Sequence, residues 1–216
     1  MWLAVEERSA LYRFLAGIFN TVPTKEFAGD FINGLKTWQE FGNQVSRQTA
    51  KLTEPMSLIS EYLHRNKDNP EDCALELGID RTRLTGGISK DYGPPPPYES
   101  VYRDGEILMG PSTKLVRRHY QRSDIYHGWK LAENPPDYLG LELEYMFFLC
   151  RAQSAAAGEE DKQKIKSCRR HFLEEHLGKW APAYSGQIRR WAGTEFYQGI
   201  GLLLEQLIAG DLKHRK

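Results

Sequence analysis

Tyr138-Leu-Gly-Leu-Glu-Leu-Glu-Tyr-Met-Phe-Phe-Leu-Cys150 is the run on which the fold turns. Leu139, Leu141, Leu143, Met146, Phe147, Phe148 and Leu149 would place apolar side chains almost all round a helix. Such a helix has no solvent face and belongs in the middle of a bundle. The preceding Glu133-Asn-Pro-Pro-Asp137 is a break, and Asp137 is suited to cap the helix by accepting N–H groups that its first turn leaves without partners.

A central helix needs neighbours, and the chain supplies them on both sides. Leu11, Phe14, Leu15, Ile18 and Phe19 recur at the three- and four-residue spacing of one helix face, which Asn20 and Pro23 close. A second helix is predicted from Thr24, with Phe27, Phe31 and Leu35 inward and Gly42 near its close. A third runs from about Thr53 to Asn66 on Met56, Ile59 and Leu63, and Pro70 fits the first turn of a fourth. Further helices follow: Pro111 to about Ser123, a charged one after Gly158 ending near Gly178, Trp180 to Trp191, and Phe196 to Leu207. The basic end, Lys213-His-Arg-Lys216, fits a helix C-terminus or a frayed tail. No alternating β segment and no repeat is found, so the expected fold is all-α: a single-domain helical bundle over residues 1–216.

One segment, 86–110, interrupts this pattern as a long Pro-rich loop between the N-terminal and C-terminal helices. It holds Gly86-Gly87, Gly105 and Tyr92-Gly-Pro-Pro-Pro-Pro-Tyr-Glu-Ser-Val-Tyr-Arg-Asp-Gly105. Proline has no N–H and keeps the residue before it out of the helical region, so Pro94 to Pro97 should be extended.

Composition narrows the function. The 216 residues are 40% hydrophobic with five Trp, nine Phe and eleven Tyr, enough to fill a core. Twenty-nine basic residues balance twenty-nine acidic ones, so no global field marks a nucleic-acid or membrane-surface binder. Cys73, Cys150 and Cys168 are odd in number and widely spaced, which suits a reducing compartment better than a disulfide framework. The apolar N-terminus is broken by Glu6, Glu7 and Arg8, and no run approaches the roughly 20 residues of a membrane span. A cytoplasmic protein is expected, without direct membrane insertion.

No catalytic pattern stands out. His171 and His176 are five apart, about 140° round an ideal helix, where a helical zinc pair needs a spacing of four. His64, His119, His127 and His214 stand alone. Thr85-Gly-Gly-Ile-Ser-Lys90 lacks the spacing of a phosphate loop, and Ser100 and Ser112 sit in no nucleophile elbow. No metal and no cofactor is expected. Glu142 and Glu144 do stand out within the apolar helix, because a buried unpaired carboxylate must find a cation or take up a proton. A salt bridge to Arg117 or Arg118 is one reading; the floor of a cleft for a basic ligand is the other. Tyr98, Glu99, Tyr102 and Asp104 from one break, with Asp137 and Tyr138 from the other, combine aromatic and acidic groups suited to a peptide carrying arginines and an apolar stretch. Against this, Tyr98 and Tyr102 could simply pack the loop while Asp137 only caps.

These segments also resemble a known family. Pro96-Pro-Tyr-Glu-Ser-Val-Tyr102 is similar to the Pro-Pro-x-x-Ser-Val-Tyr segment of the TorD/DmsD/NarJ chaperones for molybdenum-cofactor oxidoreductases. Pro135 to Leu149 resembles their second motif, a Glu-Pro-x-Asp-His sequence running into a Leu-x-x-Glu helix, with Tyr138 in place of the histidine. Arg8 to Ala16 with Pro23 and Glu26, and Phe172 to Pro182 followed by Ala192, Phe196 and Tyr197, resemble the family's opening and closing helices. The resemblance implies a cytoplasmic chaperone without catalytic turnover. Its partner would be the N-terminal twin-arginine signal, or a related segment, of a molybdopterin-dependent reductase or dehydrogenase. It would hold that subunit for cofactor insertion before export or membrane assembly. By position, the implied signal-peptide-binding residues are Tyr98, Glu99, Ser100, Tyr102, Asp137, Tyr138 and Glu142, with loops 86–110 and 127–137 as the binding face. A homodimer is a further expectation for bundles with long connections. The competing reading is a small helical hydrolase dependent on a metal or on carboxylates.

Overall fold

Thr24 and Asn69 show how local chemistry starts the helices. Thr24 Oγ1 accepts the Phe27 N–H at 3.2 Å, and Asn69 Oδ1 accepts from Asp72 ahead of Pro70, whose missing N–H costs nothing in a first turn. The computed structural model describes residues 2–123 and 125–214 and is all-α, with no strand among them. In chain order the helices are α1 Val5–Asn20, α2 Lys25–Asn33, α3 Leu35–Gln48, α4 Thr53–Arg65, α5 Pro70–Thr85, α6 Glu99–Arg103, α7 Pro111–Ser123, α8 Leu139–Ala155, α9 Glu159–Phe172, α10 Gly178–Trp191 and α11 Glu195–Lys213. Arg215 and Lys216 of the basic end lie outside the described residues.

The chain divides into two compact units. The first comprises Met1–Leu3, Thr21–Pro96 and Ala183–Gln206. There α2 packs on α5 and α3 on α4, around a core that includes Leu63, Leu77, Leu84, Tyr184, Ile188, Phe196 and Leu203. Buried Asp80 on α5 accepts the Gly193 and Thr194 N–H groups and the Thr194 hydroxyl at 2.7–3.1 Å, which holds the entry to α11. Gly42 does not close the second helix as expected. It lies inside α3 against α4, where a Cβ would meet Met56 Cε at 3.2 Å. The break falls instead at Gly34.

The second unit comprises Ala4–Asn20, Pro97–Pro182 and Leu207–Lys216. Its axis is α8, which packs along α1 and α9 as the all-round apolar run requires. Tyr120, Tyr126, Tyr145 and Phe172 stack into its core, with Tyr120 and Tyr145 ring centroids 4.8 Å apart. Asp211 accepts from Arg8, Tyr12 and Arg169 at 2.9–3.3 Å, tying α1, α9 and the end of α11 together. This carboxylate has two cations and a hydroxyl, which is the condition for burying it.

Two more expectations change here. Within the Pro-rich loop, Glu99–Arg103 is helical, so residues 86–110 are not one irregular stretch. The charged helix does not stop near Gly178 either. A π-helical turn, Leu173–Leu177, carries α9 directly into α10. Pro182 lies inside α10, where its missing N–H leaves one helical hydrogen bond unmade.

Candidate functional site

The Pro-rich segment ends by pairing with the break before α8. Pro97 C=O accepts the Leu139 N–H at 3.0 Å and Asp137 C=O accepts the Glu99 N–H at 2.9 Å, an isolated antiparallel bridge at Tyr98 and Tyr138. Proline explains why this works: Pro97 is held extended and offers only its carbonyl, and Leu139 presents an N–H that the first turn of α8 cannot satisfy.

Asp137 is therefore a cap, but of a different helix from the one expected. Tyr138 occupies the N-cap position of α8 and makes no side-chain capping bond. Asp137 instead uses Oδ2 to accept the Ser100 N–H at 3.0 Å, so its backbone and side chain together satisfy the first two donors of α6. The physical reason is that a helix of five residues cannot supply partners for its own leading N–H groups and must borrow them.

This clamp joins the two segments that carry the seven implied site residues. Glu99, Ser100, Asp137 and Glu142 are all 0% exposed. Tyr98 and Tyr138 rings are 5.3 Å apart, with the Tyr98 hydroxyl donating to Asn134 Oδ1 at 2.9 Å and the Tyr138 hydroxyl donating to Phe19 C=O at 2.6 Å. Tyr102 packs on Trp180 at 5.5 Å, and Trp180 Nε1 donates to Glu142 Oε2 at 3.2 Å. Ser100 contributes its backbone N–H to the clamp, while its hydroxyl is buried with no hydrogen-bond partner.

Electrostatics set Glu142 apart. Burial, the nearby Glu99 charge and Asp137 hold its carboxyl well above the usual range, although the Trp180 N–H works the other way. No arginine among the described residues answers it: the expected salt bridge to Arg117 or Arg118 does not form, because both lie on the exposed side of α7. Glu144 accepts a hydrogen bond from Tyr126 instead. Among the described residues the cluster's side-chain partners from outside it contact Glu99 (Arg103, one turn on along α6, and His176 Nδ1 at 3.1 Å) and Glu142 (Trp180). Arg103 also donates to Glu175 C=O at 2.7 Å, and its side chain is 31% exposed. Asp137 Oδ1 and Glu142 Oε1 are buried with no hydrogen-bond partner, so the cluster holds more acceptors than donors. The open acidic floor expected from sequence is thus a closed one.

His176 and Trp180 were not among the expected site residues. The π-helical turn is why His176 escaped notice. Widening one turn removes most of the 140° expected between His171 and His176, and both rings contact His119, at 5.5 and 5.6 Å. No group of three or more His, Cys, Asp or Glu side chains among the described residues is placed to hold a metal ion. No helix among them is long and apolar enough to cross a membrane.

Residues 46–185 match the family model described as nitrate reductase delta subunit. The chain belongs to that family. It is the NarJ/TorD-like family of the sequence resemblance, and its members are chaperones rather than enzymes, which sets aside the hydrolase reading. A "Probable Tat proofreading chaperone DmsD" from Haemophilus influenzae is 30% identical over 111 residues, 51% of this chain. The match spans about half the length of that relative, 48%. A crystal structure of a candidate redox enzyme maturation protein from Archaeoglobus fulgidus aligns with 78% of this chain and 94% of its own, at 18% identity and a TM-score of 0.41.

Proposed function

We propose that this protein is a cytoplasmic maturation chaperone. It binds the N-terminal segment, a twin-arginine signal or a related leader, of a molybdopterin oxidoreductase subunit and holds it for cofactor insertion before export or membrane assembly. The carrying observation is the convergence of Glu99, Asp137 and Glu142 beneath Tyr98, Tyr102, Tyr138 and Trp180, from the two segments in which the family resemblance is concentrated. A leader with arginines and an apolar stretch carries the complementary groups.

Because these carboxylates are fully buried, the leader does not enter an open pocket. Arg103 is the partly exposed partner of Glu99, and a client arginine brings the same guanidinium. The exchange is like for like: one planar, charge-assisted contact replaces another, so no buried charge is left uncompensated. Half-buried Tyr102, backed by the buried Trp180 ring, supplies apolar area to the leader's hydrophobic stretch.

The test has two parts. Tagged protein expressed in its own host is expected to capture an oxidoreductase subunit, and a synthetic peptide of that subunit's leader should bind in calorimetry. Replacing the peptide's arginines with alanine, or Tyr102 with Ala in the chaperone, should each weaken binding about tenfold, the order of one charge-assisted or aromatic contact. If no such subunit is captured and no host leader binds, the reading fails. Unchanged affinity in a folded Tyr102→Ala variant removes that residue from the site.

A further inference from the structure

We propose that the cleft between α7 and the π-helical turn is a binding site for a phosphate-type oxyanion. The chaperone reading calls for no anion here, although the two readings share Arg103, which pairs with Glu99 and also lines this cleft.

The cleft has a volume of about 290 Å³, well beyond what one water needs. Arg118 and Arg122 enter it from α7, four residues apart and so on the same face, and Arg103 enters from α6. His119, His171 and His176 form the wall between them, with the His119 and His171 rings stacked at 5.5 Å and 23°. Among the described residues Glu175 is the one acidic lining residue, and it is exposed. The π-helical turn is a second, independent pointer. A turn of this kind is rare and costs helix geometry, and here its effect is to put His171 and His176 on one face.

The class of ligand follows from the arrangement. A carboxylate is planar and is satisfied by a single guanidinium fork. Here Arg118 and Arg122 line the cleft from one helix, Arg103 from another with its Nη1 held by Glu99 and Glu175, and imidazoles from a further wall, which suits a tetrahedral ion accepting from several directions. His119 is poised to respond. Burial, with His176, His171 and Arg122 adding to it, pushes its pKa down to about 4, while Cys168 and Tyr145 lie behind the ring. An anion in the cleft favours the imidazolium, so binding must raise the His119 value.

Calorimetry on the full chain at pH 7, with histidine ring resonances followed by NMR, tests this. The probes are inorganic phosphate, pyrophosphate, glycerol phosphate and citrate. The phosphate-type probes should bind saturably, with pyrophosphate at least tenfold tighter than citrate and His119 titrating at higher pH once it is bound. Glycerol phosphate against inorganic phosphate distinguishes a phosphoryl group on a larger molecule from the free ion. Replacing both Arg118 and Arg122 with Gln should weaken pyrophosphate at least tenfold, and Glu175→Gln should tighten it severalfold. Arg117→Gln, exposed on the same helix but outside the cleft, should change nothing. No saturable binding, equal affinity for citrate, or an equal loss in Arg117→Gln overturns the proposal.

Discussion

Glu142→Gln offers a direct reading of the buried carboxylate cluster. The wild-type carboxyl is held above its ordinary range by burial and by Glu99. Below the unfolded glutamate value of about 4.3 both states are protonated and the group contributes nothing to the pH dependence. As pH rises the unfolded chain ionises first, so the folded state loses about 1.4 kcal/mol of stability per pH unit until its own raised value is reached. Glutamine is the neutral isostere, and its carbonyl can still accept from Trp180 Nε1.

The variant should therefore gain on wild type as pH rises from 4.5 toward 6.5, by about 1.4 kcal/mol per pH unit for as long as native Glu142 stays protonated. His119 works in the opposite direction over much of this window. Its depressed value, about 4, gives stability present above the unfolded value near 6.5 and lost as pH falls through the folded one. The wild-type profile can consequently look flat, and only the difference between the two proteins isolates Glu142. Urea unfolding at half-unit pH steps, followed by tryptophan fluorescence, measures it. Parallel profiles from pH 4.5 to 6.5 would mean that Glu142 is ionised in the native state, and the argument from burial would fail.

Two other outcomes follow from the geometry. Asp137→Ala removes the acceptor for the Ser100 N–H and should cost about 1–2 kcal/mol, whereas Asp137→Asn keeps an acceptor oxygen and should cost clearly less; equal losses in thermal melts would show that the clamp is not what Asp137 supplies. Of the three thiols, only half-buried Cys168 should react with an aromatic disulfide reagent in the native protein. Cys73 and Cys150 are fully buried, and burial pushes Cys150 up to about 12; mass spectrometry finding either of them labelled as fast as Cys168 would contradict the packing.

Much of this was legible in the residues. The all-round apolar run of 139–150 gave the central helix, and Thr24, Asn69 with Pro70, and Pro111 marked helix starts that the structure keeps. The two breaks also named most of the candidate site, because prolines, aromatics and carboxylates crowded together in a helical chain are locally out of place. What was missed shares one cause. Asp137 caps α6 across 37 residues, Gly42 serves the approach of α3 to α4, and His176 reaches Glu99 over 77 residues. Each depends on a neighbour that sequence spacing does not reveal.

The sequence by itself determined an all-helical chain, its family and the two segments from which the carboxylates come, since helical periodicity, proline geometry and motif order are local properties. Only the tertiary structure decided that those carboxylates are closed off, that Arg103 and His176 answer Glu99 while no cation among the described residues answers Glu142, and that three histidines share one wall. Burial and charge pairing are set by which helices pack together. A single π-helical turn is enough to rotate a side chain onto a face that regular helical spacing denies it.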